Sequence, residues 1–422
     1  MRNTDYFKER KVLIVGLARS GLACANLLYD LGAKVYVTDN QDNTSTRLNA
    51  SKIKSKEVKI ELGRHSQEFI RDKDILVLSP GVPNDAMPVI WAQQFNIPII
   101  SEIEFAWILC PATVIAVTGS NGKTTVTTLI GKILEASGRR VFVCGNIGNP
   151  FSQEIEKMKE DDFVSLEVSS FQLERIIKFK PKISVILNFS ANHLDRYKNM
   201  QEYLAAKKKI FLNQDETDYL VLNRQEPVLR QLAQEANAKV VYFTQAQGLN
   251  PNQAAVSAVG SILDIGQDLI SGVFRDFKGI EHRLEFVAEV NNIKFINDSK
   301  ATTVESVIWA LENIHNPILL IAGGRHKGLD YSVILDLVRS KVKNVVLIGE
   351  AREKIKVAFR GFSAIEEADT LEDAVSKAFL KASPGDCVVL SPMCSSFDMF
   401  TDYEERGNVF KKAVYELAKK NS

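Results

Sequence analysis

"TVIAVTGSNGKTTVTTLIGKIL", residues Thr113 to Leu134, decides how this chain is read. An apolar, β-branched run from Val114 to Val117 enters a glycine-rich turn, and a helical pattern leaves it. That order presents backbone N–H groups and a lysine to phosphate oxygens. The common phosphate loop, G-x-x-x-x-G-K-[ST], would place glycine at 117, where Val117 stands. The first glycine is Gly119, so the loop is shorter. Gly119 and Gly122, with Ser120 and Asn121 between them, let backbone wrap an anion at little steric cost. Lys123 offers a mobile positive charge to the β- and γ-phosphates of a nucleotide. The hydroxyl of Thr124 is placed to touch Mg²⁺, and Thr125 completes the G-K-T-T start of the helix. A plain strand-to-helix turn has no need of that combination.

The bulk of the sequence sets bounds. A chain of 422 residues is too long for one ordinary domain, and 45% hydrophobic with 25% charged residues is a globular composition. A net charge of +1 argues against a broad nucleic-acid surface, which is built from excess Lys and Arg. No apolar run approaches the roughly 18 residues a membrane helix needs. "MRNTDYFKERKVLIVG" carries charges but no signal-peptide core, and its short apolar run reads as a first strand. The five cysteines, Cys24, Cys110, Cys144, Cys387 and Cys394, are scattered and include no C-x-x-C. Neither a disulfide framework nor a zinc site is expected, and a reducing cytoplasm fits.

Strand-like runs alternate with helical patterns nearly throughout, which implies an α/β protein of mostly parallel sheets covered by helices. "KVLIVG", "KVYVTD" and "DILVLSPG" read as buried strands whose C-terminal ends carry Gly, Asp or Ser, where ligands sit in open α/β sheets. A fresh start at Val114 follows the helix-like "SEIEFAWIL". Another follows "FKGIEHRLEFV", where "KFINDSK", "PILLIAGG", "NVVLIGE" and "CVVLSP" form a third series. Three domains are expected: residues 1–101, Rossmann-like; 102–281, a central parallel-sheet domain of the P-loop ATPase kind; and 282–422, Rossmann-like α/β. The polar patches near 245–253 and 275–283 read as linkers.

"VLIVGLARSGLACANLL" places Gly16 after a strand and Gly21 at a helix start, with Asp39 ending the next strand. This approaches a dinucleotide fingerprint, but Ala18 sits where the middle glycine would let backbone reach a pyrophosphate. A nicotinamide oxidoreductase is disfavoured on that ground, and a tight turn with a capping acid is equally compatible. "LSPGVP", Ser79 to Pro83, taken alone is an ordinary Pro-Gly turn. In the central domain "FVSLEVSSFQLE" places Glu167 at a strand end, facing the phosphate loop if the two strands are neighbours. A carboxylate there can complete the coordination of nucleotide-bound Mg²⁺. "VILNFSANHLDRY" ends a further strand at Asn188 and brings His193 and Asp195 into a polar turn.

Taken together, the G-S-N-G-K-T-T loop, "GNIG" (Gly145 to Gly148), "LEVSSFQLE" and "NHLDRY" resemble the Mur ligase superfamily, with folylpolyglutamate synthase as its sister branch. The shortened phosphate loop is that family's form. The resemblance implies ATP-driven joining of a carboxylate to an amine, with Thr124 and Glu167 holding one Mg²⁺ and His193 a second. It also implies a lysine carbamylated by CO₂ in support of the second metal. "EYLAAKKKIF" matches the family's A-A-K segment and points to Lys207. By residue pattern alone Lys207 is part of a solvated helix face.

"FINDSKATT" and "LSPMCSSFDMFTDYEERG" read blindly as capped helix starts, with Asp298 or Ser299 and then Ser395 as N-caps. They resemble the third-domain motifs of the D-glutamate-adding branch of the Mur ligases. Carried over residue by residue, the resemblance gives D-glutamate to Thr302, Lys327, Ser396, Phe397 and Tyr403. It gives ATP to Arg283, as a bidentate phosphate binder, and to Asp298 at the ribose. A UDP-N-acetylmuramoyl-L-alanine substrate would lie on Arg19, Ser20, Asp39, Asn40, Ser79 and Gly81, with Asn146, Ser169 and His193 at its muramoyl-alanine end. The family's adenine motif H-N-x-x-N appears only as "LNPNQAA", with Asn250 and Gln253 at the asparagine positions. "GGRHKG" has Arg325 and His326 where acidic or small residues are commoner. A monomer acting without nucleic acid or membrane is expected. A sister ligase for another amino acid and a nucleotide-dependent switch are the rival readings.

Overall fold

The apolar runs at the centres of the sheets become strands buried on both faces, because helices cover both sides. The computed structural model describes residues 4–421, apart from 191–196, 198, 245–247 and 327. Two compact units result, Met1–Phe277 and Lys278–Ser422. The first unit holds two sheets. One contains β1 (Lys11–Val15), β2 (Lys34–Asp39), β3 (Lys59–Leu62), β4 (Ile75–Leu78) and β5 (Ile99–Ser101). It is parallel throughout, in the order β3-β2-β1-β4-β5. The other contains β6 (Thr113–Thr118), β7 (Val141–Gly145), β8 (Phe163–Glu167), β9 (Ile183–Ile186), β10 (Tyr219–Asn223) and β11 (Lys239–Phe243). It is also parallel, in the order β11-β10-β9-β6-β8-β7. The order turns back beside β1 in one sheet and beside β6 in the other, and such switch points open crevices at the strands' carboxyl ends.

The second unit carries β12 (Glu285–Val290), β13 (Ile293–Asn297), β14 (Ile318–Gly323), β15 (Val342–Ile348), β16 (Ile365–Glu367) and β17 (Cys387–Leu390), in the order β12-β13-β17-β14-β15-β16. The sequence pattern had marked no strand at 285–290. It forms an antiparallel edge on an otherwise parallel sheet, joined to β13 through Asn291 and Asn292. Both asparagines are left-handed, at φ 49° and 59°, as the tight hairpin turn that matches strand twist requires. The expected caps shift as well. Thr303, not Asp298 or Ser299, caps the helix Val304–Asn313, and Asp402, not Ser395, caps Tyr403–Lys420. The loops after β13 and β17 are thereby released from helix capping. Among the described residues no helix is long and apolar enough to cross a membrane, and none of the cysteines is disulfide-bonded.

Candidate active site

Strand β6 delivers the phosphate loop to a crevice, and its neighbours complete the walls. Gly122 caps the helix Lys123–Ala136 at φ +79°, and a Cβ there would stand 2.4 Å from Asn252 Oδ1. No other residue fits without strain. The loop is held open from β9: Asn188 Oδ1 accepts from Asn121 N at 2.9 Å, Asn188 Nδ2 donates to Asn121 O at 3.2 Å, and Asn188 O accepts from Ser120 N. Ser120 Oγ donates to Ser190 O at 3.1 Å. Sequence reading had noticed Asn188 only as a strand end. Its clamping of the loop depends on the adjacency of β6 and β9, which no local pattern states. Lys123 Nζ lies across the loop, donating to Gly119 O and Ser120 O at 2.9 Å each, and Thr124 is buried beneath it.

Glu167 ends the strand next to the loop's own, since β8 pairs with β6 and sets Glu167 opposite Val117, two residues before Gly119. It is 2% exposed. Its Oε1 accepts from Asn146 Nδ2 at 2.7 Å, while Oε2 is buried with no hydrogen-bond partner among the described residues. A buried carboxylate oxygen left unmatched costs free energy on the order of 1–3 kcal/mol or more, so it is retained for something that a protein donor does not supply. Gly145 makes the fit possible: at φ +106°, a Cβ on it would stand 2.4 Å from Glu167 O. The donor set, a hydroxyl at Thr124 and a carboxylate at Glu167, is the hard-oxygen chemistry that Mg²⁺ takes. Asn146, expected at the substrate, orients Glu167 through its amide.

Lys207 is not on a solvated face. It is 1% exposed, its Nζ donates to Gly119 O at 2.9 Å, and it lies 4.6 Å from the Tyr203 ring centre. Burial, reinforced by the charge of Lys123, pushes its ammonium well below the usual lysine pKa. Tyr203 in turn reaches Ser120 Oγ at 3.4 Å. The helix Met200–Leu212 thus backs the loop with an aromatic ring and a lysine whose neutral form is favoured. His193 lies outside the described residues. Asn250 and Gln253 are engaged with each other in a capping box at the start of Pro251–Ile262. Ser169 caps Ser170–Leu173 through Gln172.

At the carboxyl edge of the first sheet, Gly16, Asp39 and Ser79 come together. Ser79 Oγ donates to Gly16 O at 3.0 Å. Both Asp39 oxygens accept backbone N–H groups, from Leu17 at 2.7 Å and Gln41 at 2.8 Å. The acid therefore fixes two loops. Arg19 donates to Gly148 O and so joins this edge to the "GNIG" turn of the central sheet. Ser20 stands in the first turn of the helix Arg19–Asp30, and Asn40 and Gly81 are exposed on strand-end loops.

In the second unit the loops after β13, β14 and β17 converge. Asp298 is buried; its Oδ2 accepts from Ser391 Oγ at 2.7 Å and its Oδ1 from Leu284 N at 3.2 Å. It therefore holds the backbone on one side of Arg283, whose guanidinium stands 5.6 Å from the Trp309 ring centre. Burial pushes the Asp298 carboxyl up to about 7. Arg406, fully buried, braces the same loops: Nε to Ser299 Oγ at 2.9 Å, Nη2 to Ser299 O at 2.8 Å, and Nη1 to Cys394 O at 3.1 Å. Ser396 is buried, Thr302 and Tyr403 are half-buried, and Phe397 is 60% exposed. Lys327 lies outside the described residues.

Two results follow from these contacts. Arg406→Lys keeps the charge but not the three-way brace, and is expected to cost about 3 kcal/mol of stability. A chemical-denaturation midpoint equal to that of the parent would dismiss the brace. For Asp298 the folded carboxyl titrates above its unfolded value, so folding takes up a proton between about pH 4 and 7. Its contribution to stability is therefore greatest below pH 4 and declines as pH rises toward 7. Asp298→Asn should flatten that decline in denaturation midpoints measured across the same range; an unchanged slope would mean the group does not titrate there.

A glycine-rich turn that cradles phosphate, backed by a buried carboxylate with an unmatched oxygen and a buried lysine, defines an ATP-using phosphoryl-transfer site of the shortened-loop kind. The comparisons agree. Residues 10–101 match the family model described as Mur ligase MurD-like, N-terminal domain; 117–267 match Mur ligase middle domain; and 282–394 match Mur ligase, glutamate ligase domain. The chain belongs to the Mur ligase family. A UDP-N-acetylmuramoylalanine–D-glutamate ligase of Thermoanaerobacter sp. (strain X514) is 40% identical over 97% of this chain and 99% of that protein. The protein of the same name from Geotalea uraniireducens (strain Rf4) is 41% identical over 97% and 98%. Among solved structures, UDP-N-acetylmuramate-alanine ligase MurC from Thermotoga maritima matches with a TM-score of 0.60 at 18% identity, covering 97% of this chain and 100% of that one. MurF ligase of the same organism, in complex with ADP, matches with a TM-score of 0.57 at 15% identity, covering 99% and 98%. These two share the fold.

Proposed function

We propose that the protein joins D-glutamate to UDP-N-acetylmuramoyl-L-alanine at the expense of ATP, forming an amide during assembly of a peptidoglycan precursor. The observation that carries the reading is Glu167, placed beside the phosphate loop with one oxygen unmatched. The 40–41% identity to proteins of that name over 97% of the chain supports the choice of substrates. A carboxylate is a poor acyl donor, because its charge repels nucleophiles and its oxygen leaves badly. Transfer of the γ-phosphoryl group to an oxygen of the alanyl carboxylate gives an acyl phosphate. The neutral amine of D-glutamate attacks its carbonyl carbon, the C–O bond to phosphate breaks, and the amine loses a proton.

Bringing two anions together is the main barrier, and the residues lower it by position and charge. Lys123 and the loop N–H groups from Gly119 to Thr125 hold the β- and γ-phosphates. Thr124 and Glu167 would hold Mg²⁺, which neutralises phosphate charge when bound. Lys207, as its carbamate, and His193 would hold a second. Arg283 and Asp298 serve the nucleotide, Asp298 by holding the backbone beside Arg283; Asn250 and Gln253 stand at the adenine. Arg19, Ser20, Asp39, Asn40, Ser79 and Gly81 receive the uridine diphosphate, with Asn146 and Ser169 toward the alanyl end. Thr302, Lys327, Ser396, Phe397 and Tyr403 receive D-glutamate, whose two carboxylates call for a cation and hydroxyl donors. Residues 1–101, 102–281 and 282–422 divide these tasks between them in a cytoplasmic monomer.

Incubation with ATP, Mg²⁺, UDP-N-acetylmuramoyl-L-alanine and either D- or L-glutamate tests the reading. A product heavier than the acceptor by one glutamate less one water is expected with the D-isomer alone. Product with another amino acid, or phosphate release that ignores both substrates, would refute it.

A further inference from the structure

The loop after β14 carries Arg325 and His326, the two residues that stand out in "GGRHKG", and both are engaged in holding that loop in place. Arg325 N donates to Ser395 O at 2.8 Å and Ser395 Oγ donates to Arg325 O at 3.3 Å, so the loop runs bonded to the one after β17. Arg325 Nη2 also reaches Glu350 Oε1, after β15, at 3.1 Å. Both of those side chains are about half exposed, and such a pair fixes little.

The firmer hold is buried. Tyr331 Oη lies 3.0 Å from His326 Nδ1 and 3.1 Å from Cys394 Sγ. Tyr331 is 2% exposed and Cys394 is fully buried. A phenol has one proton to donate and lone pairs that accept, so it serves both neighbours at once, donating to one and accepting from the other. Burial pushes its pKa up, so the proton stays on the oxygen. A phenylalanine would fill the same space; a buried hydroxyl is tolerated only with partners, and both partners here are side chains of the two loops. The bond between residues 326 and 331 closes the segment that includes Lys327. The bond to Cys394 ties that segment to the loop in which Ser396 and Phe397 follow. Cys394 O also accepts from Arg406 Nη1 at 3.1 Å, so the arginine brace and this link meet at one residue.

We propose that Tyr331, held between His326 and Cys394, is a positioning residue for the amino-acid substrate. It sets the segment bearing Lys327 against the segment bearing Ser396, so that a cation and a hydroxyl meet the substrate's carboxylates together. The inference rests on the reading of those two residues as glutamate-binding. Steady-state kinetics and hydrogen exchange of the full chain test it. Tyr331→Phe, which keeps the ring, should raise KM for D-glutamate about tenfold, while kcat and KM for ATP stay within about twofold. His326→Ala should do the same, and it carries the test by itself if the phenylalanine variant melts early. His326→Asn, whose amide can stand in for Nδ1, should recover most of the loss. The double variant Tyr331→Phe/His326→Ala should be no worse than either single one, because both break the same link. Without any substrate, amide exchange in the peptide 324–331 should quicken in Tyr331→Phe, with that of the phosphate loop unchanged. An unchanged KM for glutamate, an equal rise in KM for ATP, additive effects, or unchanged exchange in that peptide overturns the link. If the parent joins another amino acid, the D-glutamate reading falls and the KM comparison is made with that amino acid; the exchange result stands in either case.

Discussion

Glu167→Gln is expected to lower kcat by roughly 10²- to 10³-fold while the protein folds and melts as before. The substitution is isosteric, and its amide oxygen can keep the 2.7 Å bond from Asn146 Nδ2. What changes is the other oxygen, now an NH₂ group, which carries no charge and cannot serve as a metal ligand. Stability should therefore change little or fall slightly, whereas affinity for divalent metal should fall steeply. The discriminating measurement is the Mg²⁺ dependence of turnover: the variant should need far more metal, and part of its activity should return at high concentration. An unchanged metal dependence with a lower kcat would give Glu167 some other role.

The second large effect is Lys207→Arg, expected to remove nearly all turnover. Two physical reasons combine. A guanidinium cannot take up CO₂ to form a carbamate, and it stays charged in a pocket that already repels charge, with Lys123 beside it. The parent lysine is different because its pocket favours the neutral amine. An ordinary lysine, with pKa near 10.4, is neutral in only about one molecule in 2,500 at pH 7, and only the neutral amine attacks CO₂. The depressed pKa of Lys207 removes that limit. Activity of the parent should accordingly decline in CO₂-free buffer and return with bicarbonate, and ¹³CO₂ should give a carbamate resonance that the variant lacks. Near-parent turnover in Lys207→Arg would take the residue out of the mechanism.

Much of this was legible in the chain itself, and what was not has physical reasons. The loop Gly119–Thr125 could be read because strand, turn and helix start are contiguous, so their chemistry is local. Glu167 could be read conditionally: a strand-end acid becomes a site residue once β8 lies beside β6, and the pairing of Val117 with Glu167 supplies that condition. Lys207 could not be read from pattern, since three consecutive lysines on a helix look solvated. Only the approach of that helix to Gly119 O buries the first of them. Asn188 and Arg406 were missed as working residues for a related reason: each joins segments far apart in sequence, Arg406 reaching Ser299 across 107 positions. The polar run after residue 248 read as linker and adenine motif at once; the structure makes Asn250 and Gln253 a helix cap. Asp39, readable as a capping acid, accepts backbone N–H groups from Leu17 and Gln41 on its two oxygens.

The account holds that the clasp of Lys123, Thr124 and Glu167 serves to hand a phosphoryl group to a carboxylate. The most direct test labels both carboxylate oxygens of the alanyl acceptor with ¹⁸O and recovers the phosphate after one turnover with D-glutamate. One ¹⁸O in each released phosphate is predicted, because the acyl C–O bond breaks after phosphorylation. Unlabelled phosphate, formed at the same rate as the amide, would contradict it.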